Sequence, residues 1–144
     1  MQVPKLNFEN DFDLQIKQDK DTFFIYDLAR KNWFLLTPEE WVRQHWLHYF
    51  RFVKKKNLSS LILEKKLELN GTTKRIDLLV TEKTKAKILI ECKAPNIALK
   101  QVHFEQIARY NSLIGAEQII ISNGLHHIFA EHTENGYQFR KDFE

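Results

Sequence analysis

The chain has 144 residues, a formal net charge of +3, a hydrophobic fraction of 43% and a charged fraction of 28%. This length suits one domain that buries a hydrophobic core without disulfide bonds or a structural metal, and the composition excludes a disordered chain. The single cysteine excludes an internal disulfide and a cysteine-rich zinc site. The charge is too small to identify a nucleic-acid-binding protein. We expect one domain over 1–144, with N-terminal strands over 1–36 and a core over 37–144.

No stretch of the sequence reaches the length of a membrane span, and the first residues lack the apolar run of a signal peptide. We therefore expect a soluble, unprocessed cytoplasmic protein with no membrane partner. Cys92, flanked by apolar residues, is interpreted as a small buried apolar side chain. Lysines cluster at 54–56, 65–66 and 83–87, where they line either a phosphate track or solvated loops and edge strands.

The N-terminal part of the chain predicts a small β-structure followed by a helix. Residues 1–21 give at best one short strand, whereas 22–27 and 32–36 predict an aromatic β-hairpin that packs on the main body as a lid or interface. Thr37 is a predicted N-cap, with proline at the first helical position and Glu40 three residues after the cap in a capping box. The helix should end near residue 55.

The middle of the chain predicts a three-stranded meander. Strands are expected over 61–69, 75–80 and 88–93, and Asn70-Gly71 gives a hairpin turn between the first two. The third strand is apolar on both faces, which indicates a central position in the sheet.

The C-terminal part predicts one helix and further strands. The helix should cover 97–114, end at Gly115 and turn Leu99, Val102, Ile107 and Leu113 inward. Strands should follow over 116–122, 125–132 and 137–139. A helix between two buried strands indicates a crossover, so the strands on either side of it should be parallel. The fold class is therefore α/β, with a mixed central β-sheet flanked by helices and an N-terminal β-hairpin.

Charged residues interrupt two of the apolar strands. Glu91 and Lys93 are two apart and point to the same side, and Asp77 comes near them if the two strands pair. Two carboxylates beside an ammonium make a hard-cation site of the kind that serves metal-dependent phosphodiester cleavage. An acid-x-lysine triplet alone is weak, since Glu64-Lys65-Lys66 is a second one. The alternative for the three residues is a satisfied ion-pair network at the sheet edge.

Histidines give no strong metal signal. His45 and His48 share a helix face at a spacing compatible with zinc, and His126-His127 lies near a turn. No third ligand has a suitable spacing, so core or surface roles are expected.

Three motifs in this order resemble the PD-(D/E)XK nuclease superfamily. They are Thr37-Pro38-Glu39-Glu40-Trp41-Val42-Arg43-Gln44, Arg75-Ile76-Asp77-Leu78-Leu79-Val80 and Ile90-Glu91-Cys92-Lys93-Ala94-Pro95. More closely, they look like the nuclease domain at the N-terminus of type I restriction enzyme R subunits, including small stand-alone bacterial relatives. The resemblance covers roughly 22–132 and implies a restriction-endonuclease-like core. It departs from the superfamily at Ile76, where a proline is usual.

The resemblance implies a role for each motif residue. Asp77 and Glu91 would bind Mg²⁺ or Mn²⁺ together with the backbone carbonyl of Cys92, and Lys93 would position or activate water and offset charge on the phosphate. Glu40 matches an acid that orients the metal or a water, although a capping box explains it equally well. Arg43, one turn on, either pairs with Glu40 or reaches a phosphate.

A helix pair also matches the superfamily. Gln106 and Tyr110 are four residues apart on one helix face and match a Gln-x-x-x-Tyr element beside the active site. Without the resemblance they are an ordinary surface pair.

The resulting hypothesis is a Mg²⁺-dependent DNA endonuclease of restriction-modification. The alternative is a catalytically inactive DNA-binding or assembly module with the same fold, and a third possibility is a structural protein whose acids are all ion-paired. The expected partners are DNA, a motor or specificity subunit and, because a lone site cuts one strand, a second copy of the chain.

Overall fold

The computed structural model describes residues 3–141, so residues 1–2 and 142–144 of the predicted domain lie outside the described range. Its elements are β1 (Ile16–Asp19), β2 (Thr22–Asp27), β3 (Asn32–Leu35), α1 (Pro38–His48), β4 (Leu61–Leu69), β5 (Thr72–Glu82), β6 (Lys85–Cys92), α2 (Gln101–Ile114), β7 (Gln118–Ser122), β8 (His127–Thr133) and β9 (Gly136–Arg140). Strands β4 to β9 form a six-stranded mixed sheet in sequential order, and β1 to β3 form a separate antiparallel sheet. The predicted α/β class, with its mixed sheet, flanking helices and N-terminal hairpin, is confirmed.

The small sheet contains the predicted aromatic hairpin, β2 and β3, with β1 added along one edge. Ile25 lies at the centre of this sheet and is fully buried. The side chain of Arg30, in the turn of the hairpin, reaches Glu40 on α1 at 3.0 Å. The small sheet is therefore tied to the main body by an ion pair.

Helix α1 begins as predicted but ends differently. The Thr37 hydroxyl accepts a hydrogen bond from the Glu40 backbone N–H at 3.0 Å, which is one half of the predicted capping box. The other half is absent, because the Glu40 carboxylate binds Arg30 and Gln44 and the Thr37 N–H donates to Leu35. After His48 the chain continues as a π-helical turn over Tyr49–Val53, so the predicted helix to residue 55 is not α-helical throughout.

The meander is confirmed, with longer strands than predicted. Asn70 and Gly71 have φ angles of 52° and 79°, the left-handed pair that a two-residue hairpin turn needs. Strand β5 extends over 72–74 and 81–82 as well, where polar, mostly exposed residues give no apolar pattern to detect. Strand β6 lies between β5 and β7, in the expected central position.

Helix α2 confirms the end predicted at Gly115, whose φ is 76°, but not the predicted inner face. The helix begins at Gln101 rather than at 97, so Leu99 precedes it. Val102 and Leu113 are 60% and 51% exposed, and only Ile107 of the predicted set is buried on the helix. The buried positions are Phe104, Ile107, Tyr110 and Asn111. The prediction was wrong because the apolar residues of this helix can be grouped into two different helical faces. The face that contains Phe104 and Ile107 is the one that packs on the sheet.

Two hydrophobic clusters lie on opposite faces of the main sheet. Helix α1 packs on Ile88, Ile90 and Cys92 of β6, whereas α2 packs on the side that carries Leu89. Strands β6 and β7 are parallel, as predicted for a crossover through α2. Glu91 has the parity of Leu89 and lies near the carboxyl end of β6. None of the helices within residues 3–141 is long and apolar enough to cross a membrane.

Candidate active site

The structure brings Asp77 and Glu91 together. Strands β5 and β6 pair with Leu78 opposite Ile90, and continuing this register by one residue places Asp77 opposite Glu91. Both acids are buried, at 5% and 6% exposure. Burial, a hydrogen bond to Asp77 and the charge of Asp77 raise the pKa of Glu91 to about 8. Glu91 therefore keeps its proton near neutral pH unless a bound cation displaces it.

Asp77 is held in one orientation by two donors. Its Oδ1 accepts from Arg43 Nη2 at 2.8 Å, and its Oδ2 accepts from the backbone N–H of Cys92 at 2.8 Å. Cys92 thus reaches the site through its backbone, while its fully buried side chain lies in the core as expected. Burial raises the pKa of the thiol well above its usual value, so the thiol is unreactive.

Arg43 bridges three acids at the edge of the site. Besides Asp77 it pairs with Glu64, and its Nε lies 3.7 Å from Glu40, which is the pairing expected from the sequence. Burial lowers the pKa of Arg43, but the charges of Asp77, Glu40 and Glu64 outweigh burial and raise it. Glu64 has a φ of 59°, and the pairing of β4 with β5 skips this residue at the level of Asp77. Such backbone strain in a non-glycine residue is common at functional sites.

Glu40 is linked to the acid pair indirectly, through neighbouring side chains. Its carboxylate accepts from Arg30 at 3.0 Å and from Gln44 at 3.2 Å, and both of these residues also bind Asp27. Its connection to Asp77 runs through Arg43. In this arrangement Glu40 joins the small sheet to the site.

Glu39 is the helix acid that shares the electrostatic environment of the site, although it is exposed. Desolvation of its carboxyl and the charge of Asp77 raise the pKa of Glu39, while Arg43, Lys93 and Lys74 lower it. Sequence reasoning had no basis for choosing Glu39 over Glu40, because both lie within about one helical turn of Arg43.

Two lysines are candidates for a role at the acid pair, and the structure relates them to it differently. Lys93 is half-buried, directly after β6, and within residues 3–141 no carboxylate lies in ion-pair range of its ammonium. Lys74 Nζ lies 2.8 Å from Glu91 Oε2. Burial lowers the pKa of Lys74, but the charge of Glu91 and the hydrogen bond to it raise the pKa overall. Lys74 was not predicted as a site residue, because no motif spacing singles it out.

The structure separates the Gln106 and Tyr110 pair. Tyr110 is 7% exposed, and the Lys74 ammonium lies 5.8 Å from the centre of its ring. Gln106 is exposed on α2 and makes no side-chain hydrogen bond to another residue of the described range. Tyr110 therefore contacts the site through Lys74, and Gln106 does not.

His45 and His48 have structural roles in the core. Their Nδ1 atoms hydrogen-bond the backbone carbonyls of Trp41 and Gln44 at 2.8 and 2.9 Å, and burial lowers the pKa of both. No group of three or more histidine, cysteine or acidic side chains suited to a metal is found between residues 3 and 141. The acid pair thus offers two side-chain ligands, and a cation there would need a backbone group, water or substrate to complete its coordination.

Comparison with known families places these residues in context. Residues 38–143 match the family model described as "Type I restriction enzyme R protein N terminus". The matched range contains α1, both acid-bearing strands and α2, whereas β1, β2 and β3 lie outside it. No curated protein matches the chain. Because the family match covers well over half of the sequence, the chain belongs to the family of type I restriction enzyme R protein N-terminal domains.

Proposed function

We propose that this domain is a PD-(D/E)XK nuclease that hydrolyses DNA phosphodiester bonds with Mg²⁺ or Mn²⁺. The observation that carries the proposal is the convergence of two buried carboxylates, Asp77 and Glu91, at the end of a central strand that Lys93 directly follows. Such a pair is costly to bury, and its position at the end of this strand has no evident benefit for packing.

The donor set fits a hard divalent cation. Carboxylate oxygens are the ligands that Mg²⁺ and Mn²⁺ prefer, and a bound cation would favour the ionised form of Glu91, whose pKa is raised by burial and by Asp77. Asp77 and Glu91 would hold the cation, with the Cys92 carbonyl as the proposed backbone ligand. Arg43 keeps Asp77 oriented, and Lys74 does the same for Glu91.

A divalent cation bound there would polarise the scissile phosphate and favour deprotonation of the attacking water. Lys93 donates a hydrogen bond to a phosphate oxygen or to that water and offsets negative charge as the bond breaks. Glu39 is the proposed helix acid that orients water at this site. Glu40 acts on the site by positioning Arg43. The role predicted for Gln106 would require contacts made only with DNA.

The proposed partners follow from the family and from the single acid pair. DNA is the substrate, and a motor or specificity subunit of a restriction enzyme is the protein partner. One acid pair cuts one strand, so a double-strand break needs a second copy of the chain.

A catalytically inactive DNA-binding or assembly module is the second candidate. Ion pairs from Arg43 to Asp77 and from Lys74 to Glu91 favour it, because each acid already has a cationic partner at 2.8 Å. In this case the acids serve as structural ion pairs.

Nicking of supercoiled plasmid DNA in Mg²⁺ or Mn²⁺ tests the proposal. Asp77→Asn, Glu91→Gln and Lys93→Met should each lower the rate by about 100-fold or more. Lys66→Met is the matched control, because Lys66 ends the other acid-x-lysine triplet and is exposed on β4. Cleavage by Asp77→Asn at the wild-type rate would contradict the proposal. Metal-independent DNA binding by an inactive wild-type protein would favour the module.

A further inference from the structure

A pocket lies on the α1 face of the main sheet, away from the acid pair. It has a volume of about 230 Å³, and its lining includes Trp46, Tyr49, Phe50, Phe129, Lys56 and Lys87. Lys87 stands near the start of β6, whereas Glu91 stands near its end. Gln118, the first residue of β7, also lines the pocket.

The π-helical turn over Tyr49–Val53 builds one side of this pocket. Its first two residues, Tyr49 and Phe50, both line the cavity. π-Helical turns are rare and occur frequently at functional sites, where they place side chains that a regular α-helix would direct elsewhere. The π-helical turn therefore places the aromatic rings of Tyr49 and Phe50 in the wall of the pocket.

Two lysines of the pocket, Lys56 and Lys87, are available to an anionic ligand. Within the described chain Lys56 has no ion-pair partner. Lys87 Nζ lies 3.0 Å from Glu117 Oε2, but the two side chains are 35% and 64% exposed, and such surface pairs are weak and readily exchanged. A dianionic phosphate would compete well with this exposed carboxylate for the Lys87 ammonium and could bind Lys56 at the same time.

The aromatic walls suit a flat ring. Aromatic side chains beside lysines form the usual surface on which proteins stack nucleobases while binding their phosphates. The Gln118 amide offers both a donor and an acceptor for a base edge. In addition, the buried indole N–H of Trp46 has no acceptor within residues 3–141.

We propose that this pocket binds a single nucleotide unit, with its base against the aromatic walls and its phosphate on Lys56 and Lys87. The volume is below that of pockets that enclose a whole drug-sized ligand, so the pocket would hold the base while the phosphate stays at the partly exposed lysines. The unit is either a free nucleoside monophosphate or one nucleotide of a DNA strand. This site is independent of cleavage at Asp77 and Glu91.

Isothermal titration of the full chain in EDTA tests this site while the acid pair holds no metal. The titrants are AMP, adenosine, inorganic phosphate and a 5′-phosphorylated hexanucleotide. A free nucleotide ligand predicts AMP binding with a dissociation constant below about 1 mM and weaker binding of adenosine and phosphate. Pocket-dependent binding of the hexanucleotide without AMP binding identifies a strand nucleotide as the source.

Variants decide whether the binding belongs to this pocket. Lys56→Gln and Lys87→Gln should each weaken binding about tenfold, the usual loss for one charge-assisted contact. Phe129→Leu should weaken it by a similar factor, because a base loses its stacking partner. Lys65→Gln, an exposed lysine of β4, is the matched control and should bind as the wild type does.

Three results would overturn the proposal. One is the absence of binding by both AMP and the hexanucleotide. Another is binding that the two pocket lysine variants leave unchanged. The third is phosphate binding as tight as AMP binding, which would leave no role for the base. If Phe129→Leu fails to fold, the two lysine variants, whose side chains are partly exposed, still decide the outcome.

Discussion

Replacing Glu91 by glutamine tests whether ionisation of this buried acid destabilises the fold. The ordinary pKa of a glutamate carboxyl is 4.5, and burial and Asp77 raise the pKa of Glu91 to about 8 in the folded protein. Below pH 4.5 the folded and unfolded chains both carry the proton. Above it the unfolded chain loses the proton first, so the free energy of unfolding falls as the pH rises towards 8. Glutamine has the shape of the protonated acid and carries no charge at any pH.

The expected change in the free energy of unfolding follows from the pH range over which the unfolded chain has lost the proton and the folded chain still holds it. At pH 7 the window extends from 4.5 to 7, and each unit corresponds to about 1.4 kcal/mol, which gives roughly 3 kcal/mol as an upper bound on the penalty. The interaction with Lys74 already contributes to the pKa of Glu91, so its loss is not a separate cost of the same size. We therefore expect Glu91→Gln to be about 1 to 3 kcal/mol more stable than the wild type at pH 7. The difference should vanish near pH 4.5.

Urea unfolding followed by circular dichroism at several pH values between 4.5 and 8.5 measures this effect. Glu68→Gln is the control, because Glu68 is an exposed acid on β4 and should leave stability unchanged. A loss of stability in Glu91→Gln at pH 7, together with wild-type stability that does not fall between pH 5 and 8, would refute the reasoning. That result would favour acids that are fully ion-paired for structure.

Four further substitutions test residues around the site and one buried amide elsewhere in the fold. Arg43→Met should destabilise the fold by about 3 to 5 kcal/mol in urea unfolding, since it leaves buried acids unpaired; a change under about 1 kcal/mol would contradict the bridging role. Glu39→Gln should alter the pH profile of plasmid nicking and leave the stability of the fold unchanged. Glu40→Gln should instead lower the stability. The reverse pattern would indicate that Glu40, and not Glu39, is the helix acid that orients water. Asn111→Ala should cost about 2 to 4 kcal/mol, because this buried amide bonds the backbone of the turn after α2 and the hydroxyl of Tyr137; an unchanged unfolding midpoint would show that these bonds contribute nothing.

The sequence predicted the order of elements because local signals were strong where strands met turns. Asn70-Gly71 and Gly115 adopt the positive φ angles that their residue types favour. The extents of β5 and β6 were underestimated, since their outer ends are mostly polar and exposed and show no apolar pattern. The inner face of α2 was wrong because helix periodicity cannot choose between two stripes without knowing the sheet beneath them.

The candidate site was predictable in part for a similar reason. Strand parity placed Glu91 and Lys93 on one side, and pairing of adjacent strands brought Asp77 close. The contacts of two long side chains could not be predicted. Lys74 on β5 is long enough to reach Glu91 on β6, and Arg43 on α1 reaches Asp77. The Arg43 contact depends on the distance between α1 and the sheet, which the sequence does not encode locally.

Titration of the protein with Mn²⁺ at pH 7 in buffers of different ionisation enthalpy tests the central claim most directly. If Asp77 and Glu91 share a cation site, binding should displace the proton of Glu91, with about one proton released per ion at pH 7 and few at pH 9.5. Asp77→Asn and Glu91→Gln should abolish this binding, and Glu68→Gln should preserve it. Mn²⁺ binding that neither site variant affects, or no binding by the wild type, would contradict the account.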